Sequence, residues 1–450
     1  MNNIKFNKGG QLANWSYLLL SLPGFSDAFD KESLGRTIAT FGQALMAVGI
    51  RVASPMPGQR LLLNDMADPS LDAKLAGAAK SLKLLLIILP DANIPLYNRI
   101  KRLGDVKYGI HTICTVGHKL AKERGQDQYM ANVALKFNLK LGGQNQIVDD
   151  ARLGMLREDK TMVVGLDVTH PSPGSHPNAP SIAGMVASVD SIFAQWPATL
   201  RIQSEARKEM VSDLEDMLRT RLLLWKSKGG HKQLPENILV YRDGVSEGQY
   251  QTVLHEELPL LRKACEKLYP ATDQKKGLPR FTIIIVGKRH HTRFYPTQEA
   301  DADRSTNPKP GTVVDRGVTE ARNWDFYLQA HAAIQGTARP AHYFVLIDEV
   351  FRQNYKTTLP YGYRNVADIV EETTQALCYT FGRATRAVSI CTPAYYADIL
   401  CERARCYLSN VFDSPSQSAA GSVVESEHEA EPSQEDLGVH ENLKDTMFYI

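Results

Sequence analysis

Thr161-Met162-Val163-Val164-Gly165-Leu166-Asp167-Val168-Thr169-His170-Pro171 is the stretch on which the fold turns. Its apolar run reads as a β-strand, and Asp167 follows at the end of that run. A second strand of the same kind, Val240-Tyr241-Arg242-Asp243-Gly244, also ends on an aspartate. A strand end is a rigid place from which to aim a carboxylate. If the two strands are neighbours, Asp167 and Asp243 can share a divalent cation. Two hard cations about 3.5–4 Å apart can clamp the attacking water and the leaving oxygen of an in-line phosphodiester displacement. The plainer reading makes Asp167 a turn cap and Asp243, beside Gly244, a turn former. Local pattern alone favours the plainer reading, because strand-end aspartates are common.

Further along from this stretch, strands are expected at 181–189, 198–203, 238–241, 281–286 and 343–347. Helices are expected at 205–226, 366–380 and 395–407. Three early strands, a helix and another strand is the order of an RNase H-like fold, although many mixed α/β layouts share it. Upstream, strand patterns at 15–22, Leu84–Leu89 and His111–Val116 alternate with helical ones at 31–49, 95–104 and 127–141. Such alternation predicts a mostly parallel, Rossmann-like sheet with helices on both faces, whose ligands sit at the carboxyl ends of the strands. The expected class is therefore α/β with two domains, 1–145 and 146–450, joined by the polar connection 144–160.

The chain has 450 residues, with 52 Lys and Arg against 50 Asp and Glu. That charge is unevenly spread. Segment 413–442 holds eight acidic residues and neither Lys nor Arg, which leaves the rest at +10. A basic body suits a polyanion binder without requiring one. Segment 413–442, rich in Ser, Glu, Pro and Ala, is expected to be disordered, with the apolar end Thr446-Met447-Phe448-Tyr449-Ile450 docking back onto the body. No apolar run approaches the ~18 residues of a membrane span. The six scattered cysteines form no C-x-x-C pair, which fits reduced thiols in the cytoplasm or nucleus.

Gly165-Leu166-Asp167-Val168-Thr169-His170-Pro171, Tyr241-Arg242-Asp243-Gly244-Val245-Ser246-Glu247-Gly248-Gln249 and Lys288-Arg289-His290-His291-Thr292-Arg293-Phe294 resemble, in order, the signature segments of the PIWI domain of Argonautes. Pro393-Ala394-Tyr395-Tyr396-Ala397-Asp398 and Thr446-Met447-Phe448-Tyr449 continue the likeness. It spans nearly the whole chain outside the acidic segment and is strongest to fungal quelling members. The resemblance implies a MID domain that binds a guide strand, followed by an RNase H-like PIWI domain. It also implies a catalytic set of Asp167, Glu209, Asp243 and Asp398, with Asp167, Asp243 and Asp398 holding two Mg²⁺ or Mn²⁺ ions. Asp398 stands where many animal members have His, and an oxygen ligand still suits Mg²⁺. Glu209 is assigned from Arg207-Lys208-Glu209, which fits the family's Arg-x-Glu spacing. By itself it reads equally as a solvated helix-face charge. His290 and His291 are read as structural.

Tyr97 and Lys101 are four residues apart, as are Lys136 and Lys140, so on helices each pair shares a face. From spacing alone these are ordinary solvated lysines. The resemblance instead implies that Tyr97, Lys101, Lys136 and Lys140 hold the guide's 5′-phosphate, with Arg403 reaching in from the PIWI side and the Ile450 carboxylate close by. Where the family has Gln the chain has Ile113, and the neighbouring Thr112 is the expected substitute. Asp91-Ala92-Asn93-Ile94 matches the loop that selects the guide's 5′ base.

The function so implied is small-RNA-guided cleavage of a complementary target RNA by a monomeric, cytoplasmic protein. Its partners would be a small guide RNA and the target RNA, with no membrane. The alternative is a guide-binding silencing protein that does not cut and acts through partners. A third reading is an unguided nuclease of RNA–DNA hybrids. Full Argonautes also carry N-terminal and PAZ domains, and neither is visible in these residues.

Overall fold

Two sets of apolar runs become two separate sheets in the computed structural model, which describes residues 5–205, 207–275, 277–412 and 432–450. The smaller sheet contains β1 (Trp15–Ser21), β2 (Gln59–Leu62), β3 (Leu84–Leu89) and β4 (His111–Val116), in the order β2-β1-β3-β4 and all parallel. All six residues of β3 are buried, as a strand covered on both faces requires. Helix α1 (Lys31–Ala47) starts at Asp30, whose carboxylate accepts from the Ser33 N–H in a reciprocal capping box. Helices α1 and α4 (Gln126–Lys140) cover one face, where Trp15, Phe41 and Phe137 meet edge to face. Helices α2 (Ser70–Ala79) and α3 (Ile94–Lys101) cover the other, burying Leu71, Leu75, Leu96 and Ile100. Helix α3, expected over 95–104, opens after Lys101 into a wider π-type turn, Arg102–Tyr108, that ends at left-handed Gly109 (φ 66°). That widening turns Asp105 fully inward.

The larger sheet runs β10-β11-β12-β9-β8-β5-β6-β7. It is built from β5 (Thr161–Thr169), β6 (Ile182–Ala187), β7 (Ala198–Ile202), β8 (Asn237–Asp243), β9 (Arg280–Gly287), β10 (Thr312–Val314), β11 (Asp325–Gln329) and β12 (Ala341–Asp348). The central β5, β8 and β9 are parallel, and their neighbours pair antiparallel. Alternation along β5 and β8 sorts the two faces. Val164, Leu166 and Val240 pack under α5 (Leu214–Ser227) and α6 (Leu258–Leu268). Val163 and Tyr241 pack under α7 (Val366–Leu377) and α8 (Thr392–Tyr407). Antiparallel β5-β6-β7, then α5, then parallel β8 give the expected RNase H-like order.

Two expectations need correction. The helix expected over 205–226 begins only at Leu214. Side chains occupy the backbone groups that a helix would have used: Gln203 donates to the Met210 carbonyl and accepts from the Ser212 N–H, and Glu257 accepts from the Val211 N–H. Glu209 is thereby on a loop. Of the segment expected to be disordered, 413–431 lies outside the described residues, but 432–442 is structured. Its Gln434 side chain accepts from the Ile202 N–H and donates to the Leu200 carbonyl, closing the free edge of β7, while Leu437 is buried. Local composition could not show that an open strand edge was waiting for it. The terminus docks as expected. Met447 to Ile450 are buried, and the Tyr449 hydroxyl donates to the Trp196 carbonyl at 2.7 Å.

Helix α8 rests directly on β5. A Cβ on Gly165 would stand 1.9 Å from the Pro393 carbonyl oxygen. Gly165→Ala is therefore expected to destabilise the chain by about 3 kcal/mol, the scale of overpacking against backbone that cannot yield. Chemical denaturation checks this, and an unchanged midpoint would mean that α8 can shift freely.

Candidate active site and anion cavity

In the parallel pairing of β5 with β8, Leu166 lies opposite Arg242, so Asp167 and Asp243 emerge side by side one residue later, at the carboxyl ends of both strands. They point to the α8 side, and α8 carries Asp398. Asp167 is raised to about 8, by burial first and then by Asp243. Asp243 is raised to about 6, by burial and then by Asp398. Asp398 is raised by its own burial, while Arg289 and Lys288, just past the end of β9, pull it down. The three aspartates thus repel one another at one sheet end in a largely water-free place.

Glu209 reaches the same place from its loop. Gly244 (φ 88°) sits between the carboxylates: a Cβ there would be 3.4 Å from both Asp167 Oδ1 and Glu209 Oε1. Arg242, fully buried on the opposite face of β8, holds the loop. It donates to the Glu209 carbonyl at 2.6 Å and to both oxygens of buried Glu257. His170 Nε2 lies 2.8 Å from Glu209 Oε2, and Ser181 Oγ lies 2.8 Å from His170 Nδ1. Arg242 Nη1 is 2.9 Å from Glu209 Oε1 but is not aligned for a hydrogen bond, so this buried oxygen has no donor. Glu209 is 11% exposed, which rules out the solvated-face reading. His290 serves structure, packing between Tyr327 and His342 with Nε2 3.0 Å from the Pro340 carbonyl.

Hard oxygen donors, mutual repulsion and an undonated carboxylate oxygen suit a divalent cation. Even so, among the described residues no three His, Cys, Asp or Glu side chains form a ready-made group for one. Without metal these carboxyls keep their protons to higher pH in the folded chain than in the unfolded one. Their contribution to stability is therefore expected to fall as pH rises from about 4 towards about 8. Melting scans in chelator across that range check this, and Asp167→Asn should flatten the slope.

A cavity of about 200 Å³ lies between the two sheets' helices. Tyr97, Lys101 and Lys136 line it from one side, and Arg383, Arg403 and Ile450 from the other. Lys101, 2% exposed, donates to the Thr112 carbonyl at 2.7 Å and to its hydroxyl at 2.9 Å, and stands 5.3 Å from the centre of the Tyr97 ring. Arg403 donates to buried Asp105 at 2.7 Å, to the Phe448 carbonyl at 2.9 Å and to the Tyr97 hydroxyl at 3.2 Å. Burial lowers Lys136 to about 8, with Arg383, Lys101 and Arg403 adding to the effect.

Two expected residues do not line this cavity. Thr112 stands behind Lys101 as its acceptor, and Ile113 faces inward in its stead. Lys140 donates to the Phe448 carbonyl, and burial holds its pKa well below the usual lysine value. It ties the terminus down from behind the wall. Arg383 was not anticipated, because it follows Gly382 in a loop without periodicity, and only the seating of that loop on Leu139 of α4 and the Asn145 side chain's bond to the Gly382 carbonyl bring it in. Lys136→Met is expected to raise the melting temperature of the ligand-free chain at pH 7, since the folded state no longer has to carry a desolvated cation. The same change should weaken inorganic phosphate binding, read by calorimetry.

An RNase H-like sheet with acidic strand ends lies next to a cationic cavity. The Piwi domain family model matches residues 84–409. Protein argonaute 5 of Arabidopsis thaliana is 38% identical over 396 residues, 82% of this chain and 36% of that protein. The crystal structure of the N. crassa QDE-2 AGO MID-PIWI domains is 31% identical with a TM-score of 0.70, covering 99% of this chain and 100% of that one. Kluyveromyces polysporus Argonaute with a guide RNA is 27% identical with a TM-score of 0.81, covering 99% of this chain and 52% of that one. The chain belongs to the Argonaute family and has the fold of its MID-PIWI lobe. It spans less than half the length of the curated relatives it matches.

Proposed function

We propose that the chain anchors the 5′-phosphate of a small guide RNA in the cationic cavity and cleaves target RNA paired to that guide at the acidic strand ends. The observation that carries this reading is the gathering of Asp167, Asp243 and Asp398 from two adjacent strand ends and α8, where Asp243 and Asp398 raise Asp167 and Asp398 raises Asp243. Asp167, Asp243 and Asp398 would hold Mg²⁺ or Mn²⁺, two ions being expected, with Glu209 poised beside them. Bound there, the metal would polarise the attacking water and stabilise the charge displaced onto the leaving oxygen. Arg242 and His170 hold Glu209 against the site, and Lys288 and Arg289 offset part of the carboxylate charge. Tyr97 offers a ring for stacking the guide's first base, while Lys101, Lys136, Arg383 and Arg403 meet the phosphate. Sequence specificity would come from guide pairing, and the products would carry 5′-phosphate and 3′-hydroxyl ends. Six free thiols agree with action in the reducing cytoplasm.

A guide-binding protein that does not cut remains the second reading, favoured by the lack of a ready-made three-ligand group among the described residues. A 5′-phosphorylated guide, a matched labelled target and either Mn²⁺ or Mg²⁺ decide between them. Cleavage is expected, and Asp167→Ala should reduce it roughly a thousandfold or more. Lys101→Ala combined with Lys136→Ala should weaken guide binding about tenfold or more, and only for the phosphorylated strand. Tight guide binding without cleavage in either metal would remove the nuclease reading and keep the binding one. Indifference to the 5′-phosphate would remove both.

A further inference from the structure

Helix α7 is flanked by two hollows away from both sites above. One, about 790 Å³, is lined by Val148, Arg152, Val313, Tyr363, Gln375 and Tyr379 among others. The other, about 460 Å³, includes Asp315, Glu320, Trp324 and Arg352. Glu371 lines both. It is 8% exposed, and its Oε1 has no hydrogen-bond partner. Gln375, one turn on and on the same helix face, also has an Oε1 without a donor. Two undonated acceptors on one face of a helix are unusual, because buried polar atoms are nearly always satisfied.

The surroundings give the sign of the missing group. Burial first, and then Asp315 and Asp368, raise Glu371 to about 7. Glu372 is already engaged by Arg152 at 2.8 Å and the Tyr363 hydroxyl at 2.6 Å, and Asp368 caps α7. Arg152 is therefore occupied, and Arg352 lies over the Trp324 ring. Glu371 is left facing carboxylates and aromatic walls with no cation of its own. Such a lining repels phosphate. Gln375 brings a neutral amide oxygen, and no three acidic or imidazole side chains among the described residues make a metal group here.

We propose that these hollows dock an arginine side chain from a basic segment of a protein partner, its guanidinium pairing with the Glu371 carboxylate beside Gln375. The planar fork of arginine can serve two acceptors at once and stack on Tyr363 or Tyr379, whereas a lysine ammonium is a point charge. The position on α7, apart from the carboxylate cluster and the cation cavity, leaves both sites free while a partner is bound.

Fluorescence anisotropy of a short labelled Arg-Gly repeat peptide on the RNA-free 450-residue chain tests this. Binding is expected, and it should weaken about tenfold or more in Glu371→Gln, which keeps size and shape. Asp315→Asn, an exposed change that leaves the core untouched, should weaken it severalfold and provides the readout if the first variant folds poorly. Equal binding of a Lys-Gly repeat peptide would overturn the guanidinium assignment. Undiminished binding in both variants would overturn the site.

Discussion

The seating of α8 on β5 is the contact on which the rest of this structure depends. Gly165 has no Cβ, so the Pro393 carbonyl can occupy that space and the helix can lie against the strand backbone. From that position one helix serves both sites. Its first half brings Asp398 to the aspartates at the strand ends. Its second half brings Ile399, Glu402, Arg403 and Cys406 to the cavity that Tyr97, Lys101 and Lys136 enter from the smaller sheet. Arg403 also reaches Tyr97, Asp105 and the terminal backbone at Phe448. The two sheets are thus joined through the same residue that lines the cationic cavity.

Both sites hold like charges out of water. At the strand ends burial raises three carboxyls, with Asp243 and Asp398 adding to the effect on Asp167, and at the cavity Lys136 is depressed by burial and its cationic neighbours. Neither arrangement is favourable by itself. Each costs stability that a ligand of opposite charge restores. Buried pairs surround both sites and keep them in shape: Arg242 with Glu257 on one side, Arg403 with Asp105 on the other. Arg403 belongs to both sets: it lines the cavity and is paired with Asp105 behind it.

Much of this was legible along the chain. Leu84–Leu89 and His111–Val116 read as strands with the bounds they have, the first as a continuous apolar run stopped by Pro90 and the second as a short stretch rich in β-branched residues. Asp167 and Asp243 could be placed at strand ends from local pattern. Glu209 needed the resemblance, because its loop is held open by Gln203, Glu257 and Arg242, none of them its sequence neighbour. Arg383 and the structured stretch 432–442 escaped for the same reason: the partners that position them are distant in the chain.

By itself the sequence determined the α/β alternation, the apolar runs that become sheet centres and the placement of aspartates where two strands stop. Local periodicity and turn chemistry suffice for those. Only the tertiary structure decided that Asp398 and Glu209 join them, that Lys140 turns to the terminus while Arg383 enters the cavity, and that Glu371 is left without a partner. Convergence and burial arise between elements far apart in sequence, and no local pattern encodes which of a helix's charges will meet water and which will meet another chain segment.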